Sequence, residues 1–95
     1  MPTLEIPTPL RPYANNQTVV DVAGETVSVV IDDLIRQFPT LEKHLKDKNG
    51  NLRSFVNVFV GDEDIRSLDG LNTEVEPDDA LIIIPSIAGG ASSVS

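Results

Sequence analysis

The residues able to do chemistry in this 95-residue chain are few, and most stand alone. His44 is the one histidine, set among Lys43, Lys46 and Asp47. It has no second histidine to complete a metal set and no nucleophile to serve, so it reads as an exposed polar residue of a surface turn. The absence of cysteine excludes thiol nucleophiles, thiolate metal sites and disulfides, and fits a reducing compartment. Ser92, Ser93 and Ser95 have no base near them in sequence. Asp62-Glu63-Asp64 lacks the long loop with a central glycine and closing glutamate that holds calcium. No catalytic side chain, metal or cofactor is therefore assigned. What remains is Gly89-Gly90, directly behind an apolar run and followed by the five residues from Ala91 to Ser95. The pair opens no helix, so it is not a phosphate loop. Taken alone it reads as a frayed terminus.

The elements ahead of this tail follow from periodicity. Residues 3–11, TLEIPTPLR, alternate Leu4, Ile6, Thr8 and Leu10 against Glu5, Pro7, Pro9 and Arg11, which predicts a half-buried strand whose prolines face an unpaired side or a bulge. Residues 18–22 predict its hairpin partner, with Asp21 outward. Thr26 supplies a capping hydroxyl for a helix whose stripe is Val27, Val30, Ile31, Leu34 and Phe38, with Asp32, Asp33, Arg36 and Gln37 off the stripe and Pro39 as its stop. Leu41 and Leu45 suggest a short second helical stretch closing at Asn49-Gly50. Residues 52–60 predict a strand with Val56, Val58 and Val60 inward, because the other row carries Asn57, whose amide would be costly to bury without partners. Asp64-Ile65-Arg66 predicts a short edge strand and Glu76-Pro77-Asp78-Asp79 an acidic turn. Residues 80–87, ALIIIPSI, are apolar on both parities, the pattern of a mid-sheet strand buried on both faces.

Length allows one domain, and the element order β, β, α, β, short β, β predicts a mixed sheet of four or five strands with one main helix on one face. Residues 1–88 form the body of this α+β fold and residues 89–95 a flexible tail. The formal net charge of -8 argues against nucleic-acid binding, which needs clustered cations, and favours a basic protein partner. No apolar run is long enough to span a membrane, and the first twelve residues lack the basic and apolar regions of a signal peptide. A cytoplasmic address is expected.

The element order, the strand FVNVFVGDEDIR, the ending DDALIIIPSIAGG and the total length together resemble the ubiquitin-like sulfur-carrier family (MoaD/ThiS-like) over nearly all of residues 3–90. FVNVFV and SIAGG are most similar to its cysteine-biosynthesis branch. The resemblance implies a β-grasp fold and a carrier that is a substrate, not an enzyme. Gly89 and Gly90 match the family's terminal glycines. The Gly90 carboxyl would be adenylated by an ATP-dependent activating enzyme and converted to a thiocarboxylate that donates sulfur to an accepting synthase. A carboxylate is a poor electrophile and the acyl-adenylate has a good leaving group. Glycines suit a tail that must pass close to the walls of a channel. Here the Gly90 carboxyl is tied to Ala91, so the resemblance further implies cleavage between Gly90 and Ala91 by a zinc metalloprotease. The small subunit of molybdopterin synthase, a ubiquitin-like protein modifier and a plain interaction domain stay open as alternatives.

Phe55 and Phe59 share the face of Asn57, and with Ile87 and Ala88 ahead of the glycines they are the candidate partner-binding residues. The carboxylates of Asp62, Glu63, Asp64, Asp69, Glu74, Glu76, Asp78 and Asp79, offset by Arg66, are expected to steer a basic partner toward the tail.

Overall fold

The computed structural model describes residues 1–85. Its sheet has five strands: β1 (Thr3–Glu5), β2 (Val19–Asp21), β3 (Val56–Val60), β4 (Glu63–Asp64) and β5 (Ala80–Pro85), in the order β2-β1-β5-β3-β4. β5 runs parallel to β1 and antiparallel to β3, and the other pairs are antiparallel. The mixed sheet expected from the element order is present, and the most apolar segment takes its centre. One longer helix, α1 (Val27–Gln37), and one short one, α2 (Glu42–Leu45), accompany it, with 3-10 turns between.

α1 forms where its apolar period predicts. The Thr26 hydroxyl accepts a hydrogen bond from the Val29 N–H at 3.3 Å, capping the first turn. Pro39 has no N–H to extend the helix, and the last bond runs from Phe38 N–H to Leu34 O at 2.9 Å. Val27, Val30, Ile31 and Leu34 are fully covered, and they meet the sheet's inner rows, Val20, Leu4 and Leu81 across one level and Val58 with Ile83 at the next. Burying one such side chain contributes roughly 1.5–3 kcal/mol. Leu41, Leu45, Ile65 and Val75 close the ends of this core.

Gly24 links β2 to α1 at φ +154°, and a methyl group there would sit 2.8 Å from the backbone nitrogen of Val30. Only glycine lets the connector lie that close to the helix. Asp33, expected off the apolar stripe, is instead 7% exposed. Its Oδ2 accepts from the Ala23 N–H and from Gln37 Nε2, both at 3.0 Å, and its Oδ1 accepts from Arg36. The carboxylate thus ties α1 to the same connector, which is why it is covered.

The structure corrects several spans. The predicted strand over 3–11 stops at Glu5, and Thr8–Ala14 is a 3-10 helix begun by Pro7 in extended conformation. Prolines with φ fixed near -65° suit its first turn and cannot extend a sheet ladder. Leu4, Ile6 and Leu10 stay buried in either conformation, and Thr8 does not. β3 begins at Val56, since Ser54 and Phe55 form a turn. The edge strand is Glu63–Asp64, with Ile65–Ser67 a 3-10 turn capped by Asp64. His44 is not an exposed turn residue. Its ring stacks on Tyr13 with centroids 4.0 Å apart, and its Nε2 is enclosed without a hydrogen-bond partner.

Candidate functional site

Gly89, Gly90, Ala91, Ile87 and Ala88 lie outside the described residues. Their point of departure is fixed, because β5 delivers the chain at Pro85, which pairs with Val56 at one end of the central strand. The described residues nearest that point are those at the Val56 end of the sheet.

The open face follows from strand register, since directly paired residues share a face. Val19, Glu5, Ile82, Phe59 and Asp64 form one row across all five strands, and Asn57 pairs with Ile84 in the row nearer Pro85. Ile84 is 43% exposed and Val19 is 50% exposed, while Ile82 and Phe59 are half-buried. The expectation that β5 is buried on both faces is thereby corrected. Helices cover only the Leu81 and Ile83 side, and the other side leaves aliphatic surface in water, the kind of patch that marks an interaction site.

Phe55 and Phe59 are not brought together as a ring pair. Phe59 lies in the middle of β3 opposite Ile82, whereas Phe55, 37% exposed, lies in the turn before β3 at the Pro85 end. Ile82 and Ile84 are the face residues that sequence reading missed. Their signal was present in the apolar parity of 80–87, but one helix-rich flank was not enough to say which parity would be covered.

Arg66 fixes the β4 edge of this face. Its Nη2 donates to Asn57 Oδ1 and, at 3.0 Å, to Asp64 Oδ2, and its backbone N–H donates to Asp64 Oδ1 at 2.9 Å. The guanidinium hydrogen bond, then the backbone one, hold the Asp64 carboxyl below the usual carboxylate range, against a smaller opposing effect of desolvation. Arg66 thus spans β3 and β4 beside the Asn57–Ile84 level, and it was noticed in the sequence only as a counter-charge.

Most of the acidic segment lies away from Pro85. Gly61 N–H donates to Ala80 O at 2.9 Å, Thr3 N–H to Asp79 O at 3.1 Å and Val75 N–H to Glu25 O at 2.9 Å. These bonds place Asp62, Glu63, Glu74, Glu76, Asp78 and Asp79 at the start of β5, the end away from Pro85. These six carboxylates, expected to steer a partner toward the tail, thus stand at the opposite end of β5 from Pro85. A groove of about 570 Å³ also lies at that far end, between Met1, Gly24, Thr26 and Glu76. Its position removes it from the tail's departure point. Among the described residues no group of three or more His, Asp or Glu side chains could hold a metal, and no helix is long and apolar enough to cross a membrane.

A profile described as the ThiS family matches residues 4–90. The sulfur carrier protein CysO of Mycobacterium tuberculosis is 40% identical over 90 residues, covering 93% of this chain and 97% of that protein. A chain of the Amycolatopsis orientalis BexX/CysO complex superposes with a TM-score of 0.86 at 38% identity, covering 95% of this chain and 100% of that one. The small archaeal modifier protein 1 of Methanosarcina acetivorans has a TM-score of 0.85 at 25% identity, with 94% and 95% covered. With a shared β-grasp fold, a 40% identical relative and a family match over residues 4–90, the chain belongs to the ThiS family of ubiquitin-like sulfur carriers.

Proposed function

We propose that this protein is a sulfur carrier for cysteine or a related sulfur metabolite, and that its working group is the carboxyl of Gly90 once residues 91–95 are removed. The observation that carries this reading is the extent of the family match, which begins in β1 and ends at the second glycine. Residues 91–95 fall beyond it. The 40% identity to a protein named as a sulfur carrier supports the same role.

In this reading the body supplies no catalytic side chain. It presents Gly89-Gly90 as a substrate. A zinc metalloprotease hydrolyses the Gly90–Ala91 bond, water providing the new carboxyl oxygen. An activating enzyme joins that carboxyl to the AMP portion of ATP and releases pyrophosphate. A sulfur nucleophile then displaces AMP to leave the thiocarboxylate. The accepting synthase takes the sulfur, and the Gly90 carboxylate is regenerated by hydrolysis. Phe59, Ile82 and Ile84 on the open face, with Phe55 beside the strand end, form the surface on which the partner enzymes rest.

The test compares the 95-residue chain with one ending at Gly90 in ATP–pyrophosphate exchange catalysed by the activating enzyme of the source organism. Exchange is expected with the shorter chain and not with the longer. Equal exchange by both, or none by either, contradicts the assignment. The likeness to an archaeal modifier protein favours a second reading in which the same activated acyl group passes to a lysine amine. That reading predicts a ladder of higher-mass adducts in immunoblots of the native host, and the carrier reading predicts none.

A further inference from the structure

Four of the seven cations of this acidic chain fall within one short segment. Between residues 42 and 53 there are four cations and two carboxylates, whereas between 61 and 79 there are eight carboxylates and one cation. The fold sends the cationic segment to the Pro85 end of β5 and Asp62, Glu63, Glu74, Glu76, Asp78 and Asp79 to the other end, while Asp64 stays paired with Arg66 beside the Asn57–Ile84 level. Arg53 N–H donates to Leu45 O at 2.9 Å and Val56 N–H to Arg53 O at 3.0 Å, so the cationic segment adjoins Val56, the residue paired with Pro85. Arg53 Nε also donates to Lys43 O at 2.9 Å, which fixes Lys43 to the same place. Lys43, Lys46, Lys48 and Arg53 line a groove of about 410 Å³ together with Glu42 and Asp47. Lys46 pairs with Asp32 at 2.8 Å. Lys43 and Lys48 are exposed and form no ion pair among the described residues.

Magnitudes decide what a partner senses. Five steps along β5 span about 17 Å. The Debye length in physiological salt is about 8 Å, half that distance. A protein meeting the Pro85 end is therefore governed by the cations there and is largely screened from the carboxylates at the other end, although the molecule as a whole carries -8.

We propose that the collar of Lys43, Lys46, Lys48 and Arg53 docks on a carboxylate-bearing surface of the enzyme that receives the tail, and that the separation of charge turns the chain tail end first on approach. The inference rests on the sulfur-carrier reading and names the chemistry of its partner surface. The acidic end is repelled by such a surface and the collar attracted, so one orientation is selected before contact. Glu42 and Asp47 within the groove suit a protein surface, which also offers donors, better than a phosphate chain, which offers acceptors alone.

The experiment uses the full chain matured by the peptidase of its source organism, with the activating enzyme of that organism, in ATP–pyrophosphate exchange at about 0.15 M salt. K43E/K48E is expected to lower kcat/KM about tenfold through KM, with kcat unchanged. The variant K43E/K48E/D62K/D78K keeps the net charge at -8 and inverts the two ends, and it is expected to show the same loss. Circular dichroism confirms that each variant is folded. Wild-type kcat/KM in the fourfold variant shows that only total charge matters and overturns the proposal, as does an unaffected K43E/K48E. Calorimetric titration of the chain alone, without enzyme or ATP, in which tripolyphosphate binds wild type but not K43E/K48E and a glutamate-rich peptide binds neither, assigns the collar to phosphate and overturns it also. Failure of the wild-type chain to support any exchange removes the sulfur-carrier reading and this inference together, whereas normal wild-type exchange with unaffected variants removes this inference alone.

Discussion

The two faces of β5 are built from the same residue types and have opposite fates. Leu81 and Ile83 are 2% and 1% exposed, while their neighbour Ile84 is 43% exposed. Nothing in the side chains distinguishes them. The difference is that α1 lies on one side of the sheet and, among the described residues, no helix lies on the other. One strand thus anchors the body through alternate residues, offers aliphatic surface through the rest, and then continues into the tail. Stability and recognition can be changed separately at adjacent positions.

The sharpest contrast is between Ile83→Ala and Ile84→Ala. Ile83→Ala is expected to cost 2–5 kcal/mol, roughly, through lost transfer energy and a residual cavity. Ile84→Ala is expected to stay within about 0.5 kcal/mol. Urea denaturation checks both, and equal losses would show the open face to be part of the core. Next in size is Gly24→Ala, expected to destabilise by about 1–3 kcal/mol because its methyl meets the Val30 backbone, which cannot yield as a flexible side chain would. A smaller effect is expected for Ile84→Asp, which should leave the denaturation midpoint close to wild type and weaken binding of the activating enzyme, as read by calorimetric titration. Unchanged binding would remove the open face from the interface.

The smallest effect concerns the edge of that face. Arg66 holds the Asp64 carboxyl below its ordinary range, so the folded form favours the charged carboxylate. The stabilisation is present above the usual carboxylate range and is lost as pH falls through the lowered folded value. A carbon-detected NMR titration of Asp64 should show a midpoint below that of Asp64 in an Arg66→Ala variant. Coincident midpoints would mean that Arg66 does not hold it.

Much of this was legible in the sequence, for identifiable reasons. The stripe Val27, Val30, Ile31, Leu34 encodes α1 because a 3.6-residue period has few alternative meanings. Asn57 among valines disclosed which row of β3 faces inward. The prolines of 7–12 were visible, but their consequence was not: alternation of Leu4, Ile6 and Leu10 buries the same residues in a strand or in a strand followed by a 3-10 turn. Asp33 and His44 were misjudged because their covers, Ala23 and Tyr13, are distant in sequence. The separation of charge along β5 depends on which connections lie at which end, a property of topology that composition does not contain. The glycine pair was read from sequence alone, and the extent of the family match supports it.

The central claim is that Gly90 becomes the chain's reactive end, and intact-mass analysis of the protein recovered from its native host and then given ATP, activating enzyme and sulfide tests it most directly. A species ending at Gly90 is expected to gain ~16 Da, as one oxygen is replaced by sulfur, and then to be trapped by a thiol-alkylating reagent. A chain that keeps Ala91 to Ser95 throughout, or one that ends at Gly90 and never acquires alkylatable sulfur, would contradict it.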